Sequence, residues 1–301
     1  MRYSNIFLIV HLIVNISCAN LKLETIIENE KNDVLAGESF LRYSANRIKL
    51  VQGKGNLIQT AVTYCHQNKI SKGLEILRQN LLKEKENPNY WNHVGTCYYL
   101  LNSFAKSKYY LKIALAKGIN LEIEKTENKS TFYPAYNNLG LIYLKLRDYD
   151  KALLYFKLAD KNGHLLTPKF NMIQLYLKFG QINKALTLAK SLYKKASLDV
   201  DIISSLGAIH LIRGDYKKAF HYYSKIDKKY FDRDDISAHY AIVLFKLGML
   251  EEAKSMLQKG QYTQIPAIKK MRQVLGVMIE NELKLLKEIK YGNVNLVENR
   301  S

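Results

Sequence analysis

The residues whose order along the chain would do chemistry are Ser17, Cys18 and Ala19, which close an apolar run from Ile6 to Ile16 behind Arg2. A basic residue, an apolar stretch and then small residues fit a secretory signal with its cleavage site. The run is shorter than the ~20 apolar residues that a membrane span needs. A thiol directly after Ser17 is a site for cleavage ahead of Cys18 and acylation of it, which anchors a chain to a membrane. Cleavage after Ala19 discards Cys18 instead, and both outcomes stay open on these residues. Nothing further along assembles a reactive centre. His66, His93, His164, His210, His221 and His239 lie far apart, without partners at metal-ligand spacing. Gly53-Lys54-Gly55 lacks every other element of a phosphate loop. No Ser or Cys stands with a base and an acid in a way that makes a nucleophile. The chain reads as a non-enzyme with no cofactor and no metal.

What the sequence does contain is a period. Small residues recur at Gly73, Ser107, Ala152, Ala185, Ala219 and Ala253, in steps of 34, 45, 33, 34 and 34 residues. The clearest unit reads Tyr136-Asn137-Asn138-Leu139-Gly140-Leu141-Ile142-Tyr143, then Tyr149 through Phe156, then Ala159. Small side chains mark where two helices touch, and bulky ones fill the space around the contact. One period with a single insertion of 11 residues is the signature of stacked helix-turn-helix units.

These residues resemble the tetratricopeptide repeat family over residues 54–267. The second unit carries Trp91, Gly95, Tyr98, Phe104, Ser107 and Leu111, and the fifth Leu206, Gly207, His210, Tyr216, Ala219 and Tyr223. The resemblance implies an all-α, right-handed α-solenoid of six repeats with a C-terminal capping helix. The expected layout begins with a signal peptide at 1–19, then a polar linker and short lead-in helix at 20–53. Repeats follow at 54–87 and 88–121, an insertion at 122–132, and further repeats at 133–166, 167–199, 200–233 and 234–267. A capping helix at 268–290 and a loose tail at 291–301 complete it. Cys65 and Cys97 fall on first helices of adjacent repeats at similar height. A bridge is geometrically open, but the sequence favours two small packing residues.

Repeats of this family line a concave groove with the exposed side of each first helix. Carried over by register, that face holds Asn92, His93 and Tyr99, then Asn137, Asn138 and Lys145, then Phe170, Asn171, Gln174 and Lys178, and finally His239 and Phe245. The asparagines form a row of amides, which can pair with the main chain of an extended peptide whatever its sequence. Ile58 and Val62 stand where the carboxylate clamp of some relatives requires polar residues, which disfavours that mode.

The formal charge of +19, from 46 Lys and Arg against 27 Asp and Glu, invites a nucleic-acid reading. The excess is mostly Lys spread over second helices, whereas nucleic-acid readers favour Arg forks and stacking platforms, so no nucleic acid is expected. Two function classes remain. One is a protein-binding scaffold of the bacterial envelope, similar in architecture to the lipoproteins that help pilus secretins assemble. It would be exported to the periplasm or lipid-anchored through Cys18, with weak contact to anionic lipid as a further option. The other is a periplasmic binding protein for a small or polymeric ligand such as a cell-wall fragment.

Anchoring has a direct readout. Radiolabelled palmitate enters a chain acylated at Cys18, and Cys18→Ser abolishes the labelling. A mature chain that starts at an unmodified Asn20 leaves an exported protein without a tether.

Overall fold

The computed structural model describes residues 24–27, 41–44, 47–50, 57–124, 133–161, 166–260 and 266–298. The signal peptide, Cys18, most of the linker and His164 lie outside these. Three short strands come first: β1 (Glu24–Ile27), β2 (Leu41–Ser44) and β3 (Arg47–Leu50). They form a sheet in the order β1-β3-β2, with β1 parallel and β2 antiparallel to β3. This corrects the sequence expectation of a linker and lead-in helix over 20–53. The physical cause is the period of two in Leu41, Tyr43 and then Ile48, Leu50, with only Ala45 and Asn46 between the strands, a hairpin pattern rather than a helical one.

The helices then come in pairs: α1 (Leu57–His66) with α2 (Ile70–Gln79), which short α3 (Leu81–Glu84) follows. Next are α4 (Pro88–Leu100) with α5 (Phe104–Glu124), α6 (Tyr133–Lys145) with α7 (Tyr149–Ala159), and α8 (Thr167–Lys178) with α9 (Ile182–Lys195). The series continues with α10 (Val200–Ile212) and α11 (Tyr216–Tyr223), then α12 (Asp234–Lys246) and α13 (Leu250–Gln258), and ends in α14 (Pro266–Glu298). The chain divides into two compact units, one of residues 23–202 and one that includes 203–301. The inserted residues begin as an extension of α5 to Glu124, and 125–132 lie outside the described part.

Each pair turns at a residue with positive φ: Asn68 (62°), Asn102 (58°), Arg147 (61°), Gly180 (65°), Gly214 (76°) and Gly248 (77°). Their steps repeat the sequence period, so one left-handed residue reverses the chain in every unit. Asn and Gly take that conformation readily, whereas an ordinary L-residue is strained there by ~1–2 kcal/mol.

The contact within each pair is close because one side has no side chain or only a small one. Gly140 lies so near α7 that a Cβ would stand 2.6 Å from the Phe156 ring and 3.2 Å from the Ala152 carbonyl. Gly95 meets Leu111 and Gly207 meets Tyr223 in the same way. In the second repeat the Ser107 hydroxyl donates to the Gly95 carbonyl at 2.7 Å, so even the small partner is used. Around these contacts aromatic rings repeat at twelve-residue spacing: Tyr98 on Tyr110 and Tyr143 on Tyr155, each at 5.2 Å, and His210 on Tyr222 at 5.5 Å. Lys72, Lys106, Lys151 and Lys184 lie over Tyr64, Tyr98, Tyr143 and Tyr176, again one per repeat. Part of the lysine excess is thereby tied to ring faces within the repeats.

In the second unit α14 packs on the last pair through buried Ile268, Met271, Leu275 and Ile279. Buried Arg272 fastens it by donating to the Ser237 hydroxyl at 3.0 Å and to the carbonyls of Leu257 and Lys259. Leu285, Leu286 and Ile289, which the sequence pattern assigns to the cap, are exposed. The helix also runs on to Glu298, where a loose tail from 291 was expected. Extending a formed helix adds a hydrogen bond for each residue fixed, so a helix outlasts its packed part.

Two substitutions check this register. Gly140→Leu overpacks the α6–α7 contact and is expected to cost about 1–3 kcal/mol, lowering the melting temperature; an unchanged melting curve contradicts the contact. Arg147→Gly relieves the left-handed strain and is expected to stabilise by about 1 kcal/mol, read as a shift of the denaturant midpoint upward.

Candidate functional site: an asparagine ladder on the first helices

The site lies within residues 23–202 and is built from α4, α6 and α8. Counting back from the helix-contact positions Gly95, Gly140 and Ile173 gives its rule. Asn92 and Asn137 stand three residues before their contact position, and Asn138 and Asn171 two before. The Asn138 amide donates to Asn92 Oδ1 at 2.9 Å, and the Asn171 amide donates to Asn137 Oδ1 at 2.8 Å. These are one interaction made twice, each joining a repeat to the one before it. The Asn137 amide donates to Asn138 Oδ1 at 3.1 Å, which connects the two rungs into a continuous chain from α8 to α4. Asn138 also reaches the Thr96 hydroxyl at 3.3 Å.

The ladder stops where the rule fails. In the first repeat the position equivalent to Asn92 is Ile58, which leaves His93 nothing to pair with there, and in the fourth the equivalent position is Phe170.

All four asparagines are at most 1% exposed, and Phe170, Tyr99 and His93 are also buried. This corrects the sequence reading, in which the asparagines line an open face and merely await a peptide. They pair with each other across repeats, so an alanine at Asn138 or Asn171 strands a partner amide and disturbs packing as well as any binding. Lys145, Gln174 and Lys178 are half-buried. His239 and Phe245 are half-buried on α12 in the other unit and are not brought together with the ladder.

Two polar atoms at the α4 end stand out. Asn92 Nδ2 and the Tyr99 hydroxyl are buried without a hydrogen-bond partner among the described residues. A buried donor left without a partner costs roughly 1–3 kcal/mol. Burial raises the Tyr99 pKa further above its ordinary value and lowers that of the Lys145 ammonium. Burial also holds His93 down to about 4, and holds His66 down to about 3 with the help of nearby His93. Both rings are therefore neutral near pH 7.

Beside them Cys65 on α1 and Cys97 on α4 form a disulfide, with Cα atoms 5.4 Å apart. The sequence favoured two packing residues. The register that stacks α1 on α4 instead brings the two thiols face to face in a shared core with Ile58, Ala61, Leu77 and Val94. Closing a loop of this length stabilises a fold by about 3–4 kcal/mol in the chain-entropy picture. Among the described residues no group of His, Cys, Asp and Glu is arranged to hold a metal ion, and no helix is long and apolar enough to cross a membrane.

With this geometry in place, residues 133–161 match the model of the tetratricopeptide repeat. Among characterised proteins the chain is similar to the anaphase-promoting complex subunit Cdc16 of Saccharomyces cerevisiae, 28% identical over 170 residues. That match covers 48% of this chain and only 20% of the relative's length. Among solved structures, a chain of the APC/C hetero-tetramer Cut9–Hcn1 superposes with a TM-score of 0.59 at 15% identity, covering 76% of this chain and 43% of that one. PilW, a type IV pilus biogenesis factor, gives 0.54 at 16% identity, covering 71% of this chain and 96% of its own. A tetratricopeptide repeat protein from Parabacteroides merdae gives 0.50 at 15%, with 73% and 82% covered. The fold is a tetratricopeptide-repeat α-solenoid.

The buried histidines set a pH dependence. Below the unfolded value of 6.5 the unfolded chain binds protons that the folded chain refuses, so stability falls with pH down to about 4 for His93 and about 3 for His66. Each contributes up to about 1.4 kcal/mol per pH unit in that window. The melting temperature is expected to drop between pH 6.5 and 4.5, and His66→Leu is expected to flatten the slope. A slope identical in His66→Leu contradicts the assignment.

Proposed function

We propose that this chain is a non-catalytic interaction scaffold of the bacterial cell envelope. It holds a partner polypeptide in extended form along the inner helices of residues 23–202, in the assembly of a secretion, pilus or outer-membrane complex. The observation that carries the reading is the amide ladder over three successive first helices, which ends in the unpartnered donor of Asn92 on α4, the helix that also carries the unpartnered Tyr99 hydroxyl. A partner's main-chain carbonyl is the group that satisfies such a donor, and it does so whatever the partner's side chains. Half-buried Gln174 and Lys178 on α8 border the same face.

Three facts support the envelope setting. The Cys65–Cys97 disulfide suits an oxidising compartment. The apolar run before Cys18 suits export. The similarity to PilW spans nearly that whole protein. If Cys18 is acylated, the scaffold works tethered to a membrane.

Gln174 and Lys178 lie outside the ladder, so Gln174→Ala with Lys178→Ala tests binding without breaking rungs. The double variant is expected to keep its helical spectrum and to recover the partner crosslinked by the natural chain about tenfold less well, as for one or two lost hydrogen bonds. Recovery at equal strength contradicts the groove as the site.

A further inference from the structure

The inner face of the first helices is already occupied. By register, Asn138 and Asn171 face away from the second helices and Asn137 and Phe170 lie to one side of the contact, yet all four are as buried as core leucines, at 1%, 0%, 0% and 1% exposure. Something covers them. Strand β2 lies against both α6 and α8, and β1, on the other side of β3 in the same sheet, lies against α1. The N-terminal sheet therefore runs across the inner helices from the first repeat to the fourth. None of Asn137, Asn138, Phe170, Asn171, Gln174 and Lys178 is free of interactions.

We propose that the paired strands β2 and β3, Leu41–Ser44 and Arg47–Leu50, are a built-in occupant of the groove, and that the partner is an extended strand that takes their place. The hairpin is suited to be displaced. Its strands have four residues each, and a sheet that small is marginal without the surface it rests on. It stays because it is tethered: only residues 51–56 separate β3 from α1, which gives a high effective concentration at the groove. A free segment must outcompete that concentration, so the tether sets a threshold that weak or non-specific peptides do not pass. The segment's chemistry states what the groove takes: an extended stretch in which apolar Leu41, Tyr43, Ile48 and Leu50 alternate with polar or basic residues such as Arg42 and Lys49. The displacement half of this proposal rests on the groove reading above, whereas occupancy by the hairpin does not.

Two measurements on the full chain test it. In the first, a photo-crosslinking phenylalanine analogue replaces Tyr43. The expected adducts map to Tyr133–Lys145 or Thr167–Lys178; adducts elsewhere, or none within the chain, overturn occupancy. This arm needs no partner, so its failure leaves the groove reading standing. The second places a proline in the central strand, Ile48→Pro, which cannot donate to the ladder of either neighbour. A labelled synthetic peptide of residues 39–52 is then titrated against both chains. The variant is expected to bind it at least about tenfold more tightly than the natural chain, because the tethered competitor is lost. Equal binding by both, or binding by neither, overturns the proposal. Should the variant lose its helical spectrum, the crosslink decides alone.

Discussion

Two helices approach each other at a point where one presents a bare Cα and the other lays a large side chain across it. That contact, made at Gly95, Gly140 and Gly207 against Leu111, Phe156 and Tyr223, fixes how each repeat is put together. Interiors are packed at near-crystal density, so a contact this close tolerates no shift in register. Once Gly140 is held against Phe156, Asn138 two residues before it is turned to the far side of the helix and Asn137 three before it to the flank. The inner face is thus a consequence of the outer one. The ladder of asparagines exists because the contact repeats at a fixed interval and brings equivalent positions of successive repeats within hydrogen-bond reach.

The ladder joins two demands. A buried amide has two donors and one acceptor oxygen to satisfy, and a row of them satisfies most of these internally while leaving some at its end. Asn92 supplies Oδ1 to its neighbour and keeps an unpartnered Nδ2. A chain selected for packing alone would place apolar residues there, as it does at Ile58. The polar row is costly unless something extended lies on it, and the N-terminal strands supply such a segment from within the chain. Next to this face the first repeat is joined to the second by a disulfide, with His66 and His93 buried beside it.

The repeat architecture was legible because its signal is redundant. The small residue, the turn and the aromatic pair each recur, and the left-handed positions from Asn68 to Gly248 keep the intervals of Gly73 to Ala253. The asparagines were legible as a set on one face, since register alone places them there. Their pairing was not, because a bond from Asn138 to Asn92 depends on how far one repeat rotates on the next, a quantity that no single repeat encodes. The bridge between Cys65 and Cys97 was hidden for the same reason. The hairpin was missed differently. Leu41, Tyr43, Ile48 and Leu50 alternate plainly, but a helical neighbourhood made a helical lead-in the easier assignment, and nothing in ten residues says which surface a short hairpin rests on.

The central claim is that the inner face holds an extended segment of this chain until a partner replaces it. Amide hydrogen exchange of the full chain, free and with its crosslinked partner polypeptide, tests this most directly. In the free chain the amides of Arg47–Leu50, the central strand, are expected to be protected. On binding they are expected to lose protection while α4, α6 and α8 keep theirs. Exchange of Arg47–Leu50 at unstructured rates in the free chain, or protection that partner binding leaves untouched, would contradict the account.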